Sequence, residues 1–229
     1  ERFEPLERGQ QIRAARRRGQ QNIFAETCPQ YLLLDSGCYH AHPDGLKYIM
    51  CPPLRSAADN EALWQGLAAG DIQTVGTDHC SFNMARQKLA GAADFRQTPS
   101  GAPGVGERLA LLYTYGVAAG RFPLERLAEV TSVNAARLFG LYPRKGVLLP
   151  GADADLVVLD TAARQTLRQS ALHSICDYSA YEGMAVSCAI DTVVAGGQVA
   201  YQRGQVKAAV GRGAFLGRNI ERKYWQDMR

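Results

Sequence analysis

Hydrophobic and polar positions follow two alternating periods along the first 140 residues. Helix-like spacing covers residues 5–18 and the segment "DNEALWQGLAA", where we expect Asp59 to cap the N-terminus. Strand-like apolar runs occur in "NIFAETC", in "YIMCPPLRS" before its two prolines, and in "TVGTDHCSF". Because helices that alternate with strands are typical of parallel βα units, the pattern predicts an α/β fold.

The pattern changes after "YPRKG", near residue 146. The segments "DADLVVLD" and "AIDTVVAGGQVAYQRGQVKAAV" are short β-rich runs separated by Gly-Gly and Arg-Gly turns. We therefore predict three parts: an α/β region over residues 1–146, a small antiparallel β module over residues 147–217, and a polar tail over residues 218–229.

Composition excludes several classes of protein. Hydrophobic residues make up 46% and charged residues 21% of the 229 residues, as in ordinary globular proteins. Much of the net charge of +4 comes from arginines in the first predicted helix, and no aromatic residues lie among them, so nucleic-acid binding is not predicted. No apolar run reaches 18 residues, which argues against a membrane span. The six cysteines form no C-x-x-C pair, which favours reduced thiols in the cytoplasm.

Two motifs contain residues that can bind metal. In "YHAHPDG", His40 and His42 have a spacing common among metal ligands, but the turns on both sides predict an exposed loop without a site. In "TVGTDHCSF", Asp78 and His79 follow a strand, and the carboxyl ends of barrel strands are where barrel enzymes hold their chemistry. Two side chains are nevertheless too few for a catalytic metal site, so the residues alone leave the role of this pair open.

Seven phrases in order resemble the dihydropyrimidinases and D-hydantoinases of the amidohydrolase superfamily. They are "ETCPQYLLLD", "KYIMCPPLR", "VGTDHCSF", "SGAPGVGERL", "NAARLFGLYPRKG", "PGADADLVVLD" and "DYSAYEGM". The resemblance runs from about residue 12 to residue 217 and covers only the second half of that family. "PGADADLVVLD" is typical of the whole superfamily, whereas "ETCPQYL" and "LYPRKG" are much more specific.

The resemblance implies a fold and an activity. It implies a partial TIM-like (β/α) barrel in residues 1–146 followed by a β-sandwich module in residues 147–217. It also implies hydrolysis of the cyclic amide of dihydropyrimidines or 5-substituted hydantoins at a two-zinc centre, in a homo-oligomer that is usually a tetramer. By position, Asp78 is implied as a metal ligand and proton shuttle, and Cys51 and Ser100 as substrate-binding positions, where Ser and Asn are more usual.

The other metal ligands of the family precede the region of resemblance. We therefore expect this chain to be the C-terminal half of a longer enzyme, and to bind zinc weakly and turn over no substrate when alone. Two alternatives stay open: a non-catalytic dihydropyrimidinase-related scaffold, and another cyclic amidohydrolase such as an allantoinase or dihydroorotase. Asp78 argues against a scaffold, because we expect its carboxylate to be buried, and an unpaired buried carboxylate costs stability and would be free to be replaced. "ETCPQYL" favours the hydantoinase branch.

Overall fold

The fold is a mixture of short helices and short strands. The computed structural model describes residues 5–20, 22–41, 43–225 and 228. The α-helices are α1 (Pro5–Arg17), α2 (Pro29–Leu33), α3 (Ala57–Ala68), α4 (Arg108–Leu112), α5 (Leu124–Ala128) and α6 (Asn134–Leu138). The strands are β1 (Glu26–Thr27), β2 (Thr74–Val75), β3 (Leu156–Asp160), β4 (Gln165–Thr166), β5 (Ala185–Val186), β6 (Ala189–Ala195), β7 (Gln198–Gln202) and β8 (Gln205–Val206).

Within its described residues, the first region contains one parallel strand pair. β1 pairs with β2, with Glu26 opposite Thr74, and α3 lies between the two strands in sequence, as in a βα unit. The predicted strand in "YIMCPPLRS" is wrong: Asp44–Tyr48 forms a 3-10 helix, and the residues after it are irregular. The Ile49 amide donates to the Leu46 carbonyl at 3.3 Å and so closes this helical turn instead of joining a strand ladder.

Helix α3 begins earlier than the sequence pattern predicts. Ser56, not Asp59, is its N-cap: the Ser56 hydroxyl accepts from the Asp59 amide, and the Asp59 carboxylate accepts from the Ser56 amide at 3.1 Å. This reciprocal capping box satisfies two donors that the first helical turn leaves free. Asp59 is therefore the third residue of the helix rather than its cap.

A buried arginine joins the end of α3 to the start of β2. Arg126, 8% exposed, donates from Nε to the Leu67 carbonyl at 2.8 Å and from Nη2 to the Ile72 carbonyl at 2.7 Å. Its Nη1 forms an ion pair with the half-exposed Glu129 at 2.7 Å. One guanidinium thus satisfies the carbonyls on both sides of the turn that leads into β2.

Two apolar clusters form the core. One lies around β2 and consists of Leu32, Trp64, Leu67, Ile72, Val75, Leu112, Phe122, Leu127 and Val130. The other consists of Leu34, Met50, Leu54, Ala102, Ala110, Leu111, Leu167, Ala180, Tyr181, Val186 and Cys188. The second cluster combines residues before 146 with residues 167–188, so this part of the β module packs directly against the α/β region.

The β module is built from a four-stranded antiparallel sheet in the order β3-β6-β7-β8. The predicted Gly-Gly turn joins β6 to β7, and both Gly196 and Gly197 have positive φ, which glycine adopts without strain. No residue of these four strands is buried. The α/β class is confirmed, and the strands of the described residues do not close into a barrel.

Among the described residues, no helix combines the length and the apolar character needed to cross a bilayer.

We expect Arg126→Leu to lower the free energy of unfolding by about 2–4 kcal/mol, because two buried carbonyls lose a charged donor. Urea unfolding followed by circular dichroism measures the change. The matched control is Glu129→Gln, which removes only the exposed half of the ion pair and should change stability by less than about 1 kcal/mol. Equal effects of the two variants would contradict this account of the turn.

Candidate functional site

Asp78 lies in a cavity at the end of β2. The residue is exposed and lines a cavity of about 720 Å³ together with Glu26, Cys28 and Tyr31. Its φ is +48°, in the left-handed region that Asp tolerates better than most residues. Because Asp78 is exposed, the argument that an unpaired buried carboxylate would not persist in a scaffold does not apply to it.

His79 faces a different cavity. Its Nδ1 accepts a hydrogen bond from the Gly104 amide at 3.1 Å, and the ring lines a second cavity of about 900 Å³. With Nδ1 acting as acceptor, the proton of the neutral ring is on Nε2. The neighbouring Asp78 and His79 therefore do not form one joint site: His79 holds the 101–104 segment, and only Asp78 lines the cavity beside Cys28.

Buried side chains hold the backbone that precedes Asp78. The Gln30 amide donates to the Thr77 carbonyl at 3.3 Å, and the Tyr181 hydroxyl donates to the Gln30 side-chain oxygen at 3.2 Å. Gln30 is 5% exposed and Tyr181 is 2% exposed. This chain of bonds links the phrases "ETCPQYL", "VGTDHC" and "DYSAYEGM", so residues far apart in sequence fix the position of one loop.

The backbone that follows Asp78 is held as well. The Cys80 amide donates to the Ala102 carbonyl at 3.0 Å. The close approach of this segment to Gly101 leaves no room for a side chain, since a Cβ there would lie 2.4 Å from the Cys80 sulfur. Gly101 also has a φ of +125°, which L-residues rarely adopt. Asp78 therefore projects from a loop that is fixed on both sides.

Cys51 and Ser100 belong to two segments that the structure brings side by side. The Gly101 amide donates to the Ile49 carbonyl at 3.0 Å. Both Cys51 and Ser100 are exposed, and neither lines the two cavities described above. Tyr31, which lines the same cavity as Asp78, donates from its hydroxyl to the Pro52 carbonyl at 3.1 Å.

Burial keeps the Cys28 and Tyr31 side chains near Asp78 neutral, and nearby charges add to its effect. Burial, and then the carboxylates of Glu26 and Asp78, raise the pKa of Cys28 to about 12, although Arg108 lowers it. Burial is also the main cause that raises the pKa of Tyr31, followed by the nearby Cys28, Asp78 and Cys51. Cys28 is therefore a neutral thiol at pH 7 and not a nucleophile, since the thiolate is the reactive form.

A buried lysine joins the Cys51 and Ser100 segments, and the sequence pattern gave no sign of it. Lys88 is 0% exposed, and its Nζ donates to the Ile49 carbonyl at 2.8 Å and to the Pro99 carbonyl at 2.6 Å. Burial lowers the pKa of Lys88 to about 8, while Cys80 raises it. The residue starts a 3-10 helix, Lys88–Gly91, which is too short to show a hydrophobic period.

The described residues contain no group of three or more His, Cys, Asp or Glu side chains that could hold a metal ion. Asp78 can therefore supply one ligand but does not form a site with its neighbours. His40 is exposed, as predicted, and lies at the end of the 3-10 helix Ser36–His40. His42 lies outside the described residues.

Comparisons with known proteins agree on one family. Residues 26–200 match the amidohydrolase family. A D-phenylhydantoinase of Escherichia coli O1:K1 is 44% identical over 202 residues, which are 88% of this chain and 44% of that protein. A D-phenylhydantoinase of Escherichia coli O127:H6 is 43% identical over the same length.

Solved structures show the same similarity. A dihydropyrimidinase from Brevibacillus agri superimposes with a TM-score of 0.90 at 36% identity, over 93% of this chain and 46% of that one. A D-hydantoinase from Bacillus sp. AR9 gives 0.90 at 39% identity, with the same coverage. An L-hydantoinase from Arthrobacter aurescens gives 0.81 at 35% identity, over 90% and 44%. The chain thus spans somewhat less than half the length of the relatives it matches.

We expect the stability of the chain to depend on pH through Lys88. Because its folded pKa of about 8 is below the unfolded value, the unfolded state binds more protons between about pH 8 and pH 10.5. The buried charge of Lys88 lowers the free energy of unfolding, and this effect is fully present below pH 8. As pH rises through this window, the free energy of unfolding recovers by on the order of 2–3 kcal/mol.

The measurement is urea unfolding at pH 7.5 and at pH 10 for the wild type and for Lys88→Met. The wild type should gain stability relative to the variant as pH rises, and taking the difference cancels groups that titrate in both proteins. A constant difference across this range would show that Lys88 keeps an ordinary pKa.

Proposed function

Because the chain belongs to the amidohydrolase family, we propose that it forms part of a hydrolase that opens the ring of dihydropyrimidines or 5-substituted hydantoins. The proposal is supported most directly by Asp78, an exposed carboxylate in a cavity at the carboxyl end of β2, on a loop fixed on both sides. Residues held in sparsely populated backbone conformations cluster at functional sites. The names of the relatives supply the class of substrate.

The proposed role of Asp78 is to move a proton during ring opening. Hydrolysis adds water across the amide C–N bond, so the attacking water loses a proton and the leaving nitrogen gains one. A carboxylate within reach of both atoms can accept the first proton and donate it in the second step. The neutral Cys28 thiol beside it does not compete for this role.

We propose that Cys51 and Ser100 mark the segments that bind the cyclic amide, and that they bind it through backbone groups. A ring with N–H and C=O groups is matched by backbone donors and acceptors, which do not depend on side-chain identity. The Gly101 bond to the Ile49 carbonyl supports this idea, because it holds the two segments next to each other. The unusual side chains at these positions then alter substrate preference rather than binding itself.

Zinc is proposed as the cofactor of the whole enzyme, with Asp78 as one ligand. The described residues do not fit a zinc centre by themselves, since such a centre requires at least three protein ligands. The remaining ligands would therefore come from residues outside those described here.

The similarity to the hydantoinases also supports a proposal for the architecture and the assembly of the whole enzyme. Residues 1–146 would form the C-terminal part of a barrel, residues 147–217 one portion of a β-sandwich, and residues 218–229 a tail. The parallel β1–β2 pair supports the barrel, and the absence of buried residues from strands β3 and β6–β8 supports a missing second layer. A cytoplasmic homotetramer is proposed for the whole enzyme.

The test of the function is a chimera of the Escherichia coli D-phenylhydantoinase in which the matching 202 residues are replaced by the corresponding part of this chain. We expect the zinc-loaded chimera to open phenylhydantoin, and Asp78→Asn to lower kcat/KM by about 10²–10⁴-fold, because the amide cannot carry the proton. Ring opening is followed by ultraviolet absorbance.

The matched control is Asp160→Asn, an exposed Asp at the end of β3 that should leave kcat/KM within about twofold of the unmutated chimera. A folded, zinc-loaded chimera that opens neither hydantoins nor dihydropyrimidines would contradict the proposal. So would an Asp78→Asn chimera with full activity.

Zinc binding to this chain alone provides a second test. We expect titration calorimetry to detect no binding with a Kd below about 10 μM, because the described residues supply too few ligands for a closed site. Asp78→Asn should therefore leave the titration unchanged. Tight binding that depends on Asp78 would show that the chain carries a complete site.

A further inference from the structure

We propose that Lys88 is a positioning residue that sets the distance between the two segments assigned to substrate binding. That these segments bind substrate rests on the proposed function. The contacts that join them do not depend on it. Its basis is a single buried ammonium group that donates to a carbonyl in each segment.

The contacts converge on one point of the backbone. The Ile49 carbonyl accepts both from Lys88 Nζ at 2.8 Å and from the Gly101 amide at 3.0 Å. The Pro99 carbonyl accepts from the same Nζ at 2.6 Å. Lys88 is 39 residues from Ile49 and 11 from Pro99 in sequence, so its side chain is a cross-link between two distant stretches.

The backbone of Lys88 is held by Asn83 and by the stretch that contains Pro99. The Lys88 amide donates to the Asn83 carbonyl at 3.0 Å, and the Thr98 hydroxyl donates to the Lys88 carbonyl at 3.4 Å. Gly91 packs so closely on Thr98 that a Cβ there would lie 2.7 Å from the Thr98 amide nitrogen. The position of the ammonium relative to residues 98–101 is therefore determined by packing as well as by its own hydrogen bonds.

A lysine at this buried position needs a physical reason. Removing an ammonium from water is costly unless its donors are satisfied, and an apolar side chain would fill the same space without that cost. Two of its three donors reach carbonyls in different segments, and the aromatic ring of Phe82 lies 5.7 Å from Nζ. The lysine thus supplies what an apolar residue cannot, a polar bond to each of two loops.

The cross-linked carbonyls lie next to the candidate substrate positions. Ile49 is two residues before Cys51, and Pro99 is one residue before Ser100. The side chains of Cys51 and Ser100 are exposed, whereas Lys88 is completely buried. Side chains at the two positions can therefore change without altering the spacing of the backbone that carries them.

Hydrogen exchange of the full chain tests this role. We expect Lys88→Met to accelerate exchange of the Gly101 amide by more than about tenfold while amides in α3 and β6 keep their rates, because only the joined segments loosen. Lys88→Arg keeps the donors and should restore most of the protection. The control is Lys207→Met at an exposed position, which should change none of these rates.

Two results would overturn the proposal: unchanged exchange at Gly101 in Lys88→Met, or equal acceleration at all measured amides, which would mean a purely global effect. If Lys88→Met does not fold, the cross-link is tested instead by a nuclear magnetic resonance measurement on the wild type. Its Lys88 Nζ–H signals, assigned by their absence from Lys88→Arg, should be visible in a nitrogen–proton spectrum at pH 7, because buried bonded ammonium protons exchange slowly. Failure to observe them would exclude the cross-link.

The chimera described above adds a kinetic readout. Lys88→Met should raise KM by about 10–100-fold with a smaller change in kcat, because a displaced binding segment weakens substrate capture. A larger loss in kcat than in KM would contradict a role in spacing the binding segments. If the unmutated chimera is inactive, the proposed function fails, and hydrogen exchange still decides whether Lys88 joins the two segments.

Discussion

Backbone carbonyls in loops and near helix ends are the constraint on which this fold depends. The strands of the α/β region are only two residues long, so most of the chain around Asp78 has no ladder to satisfy its polar groups. Long polar side chains supply the missing donors. Gln30 bonds Thr77, Arg126 bonds Leu67 and Ile72, Asn60 bonds Tyr31 and Leu34, Asn134 bonds Gln73, and Lys88 bonds Ile49 and Pro99.

This constraint explains why the candidate site is held in place without long strands. Each of these side chains reaches a carbonyl in another part of the sequence, so each bond restricts one loop relative to another. The loop of Asp78 is held by two hydrogen bonds, one from Gln30 to the Thr77 carbonyl before it and one from the Cys80 amide after it. A loop held in this way can keep Asp78 at a positive φ, and preorganised geometry of this kind is what catalysis requires.

Sequence patterns predicted the regular elements and missed the contacts between loops. The spacing in residues 5–18, the Gly-Gly turn between β6 and β7, and the α/β class were predicted correctly, because local periodicity and turn chemistry determine them. The strand in "YIMCPPLRS" was wrong because its first residues complete a 3-10 turn, and the cap at Asp59 was wrong because Ser56 offers the hydroxyl three residues earlier. Lys88 was missed because its partners are distant in sequence.

The family resemblance is confirmed, whereas the segment boundaries and the roles of Asp78, Cys51 and Ser100 stay predictions.

The phrases that carry the resemblance contain framework residues as well as candidate reacting ones. "ETCPQYL" contributes Gln30 and "DYSAYEGM" contributes Tyr181, and both act on the loop of Asp78 without lining its exposed end. A scaffold that had lost its chemistry would still need this framework to fold, so these phrases alone do not separate a scaffold from an enzyme. The distinction rests on Asp78 itself: it is exposed, so its carboxylate is not needed to fill the core, yet it lies in the cavity beside a thiol that burial keeps neutral. Asp also tolerates the positive φ at this position better than most residues, so the backbone alone can account for an Asp here, and its role in proton transfer stays a proposal.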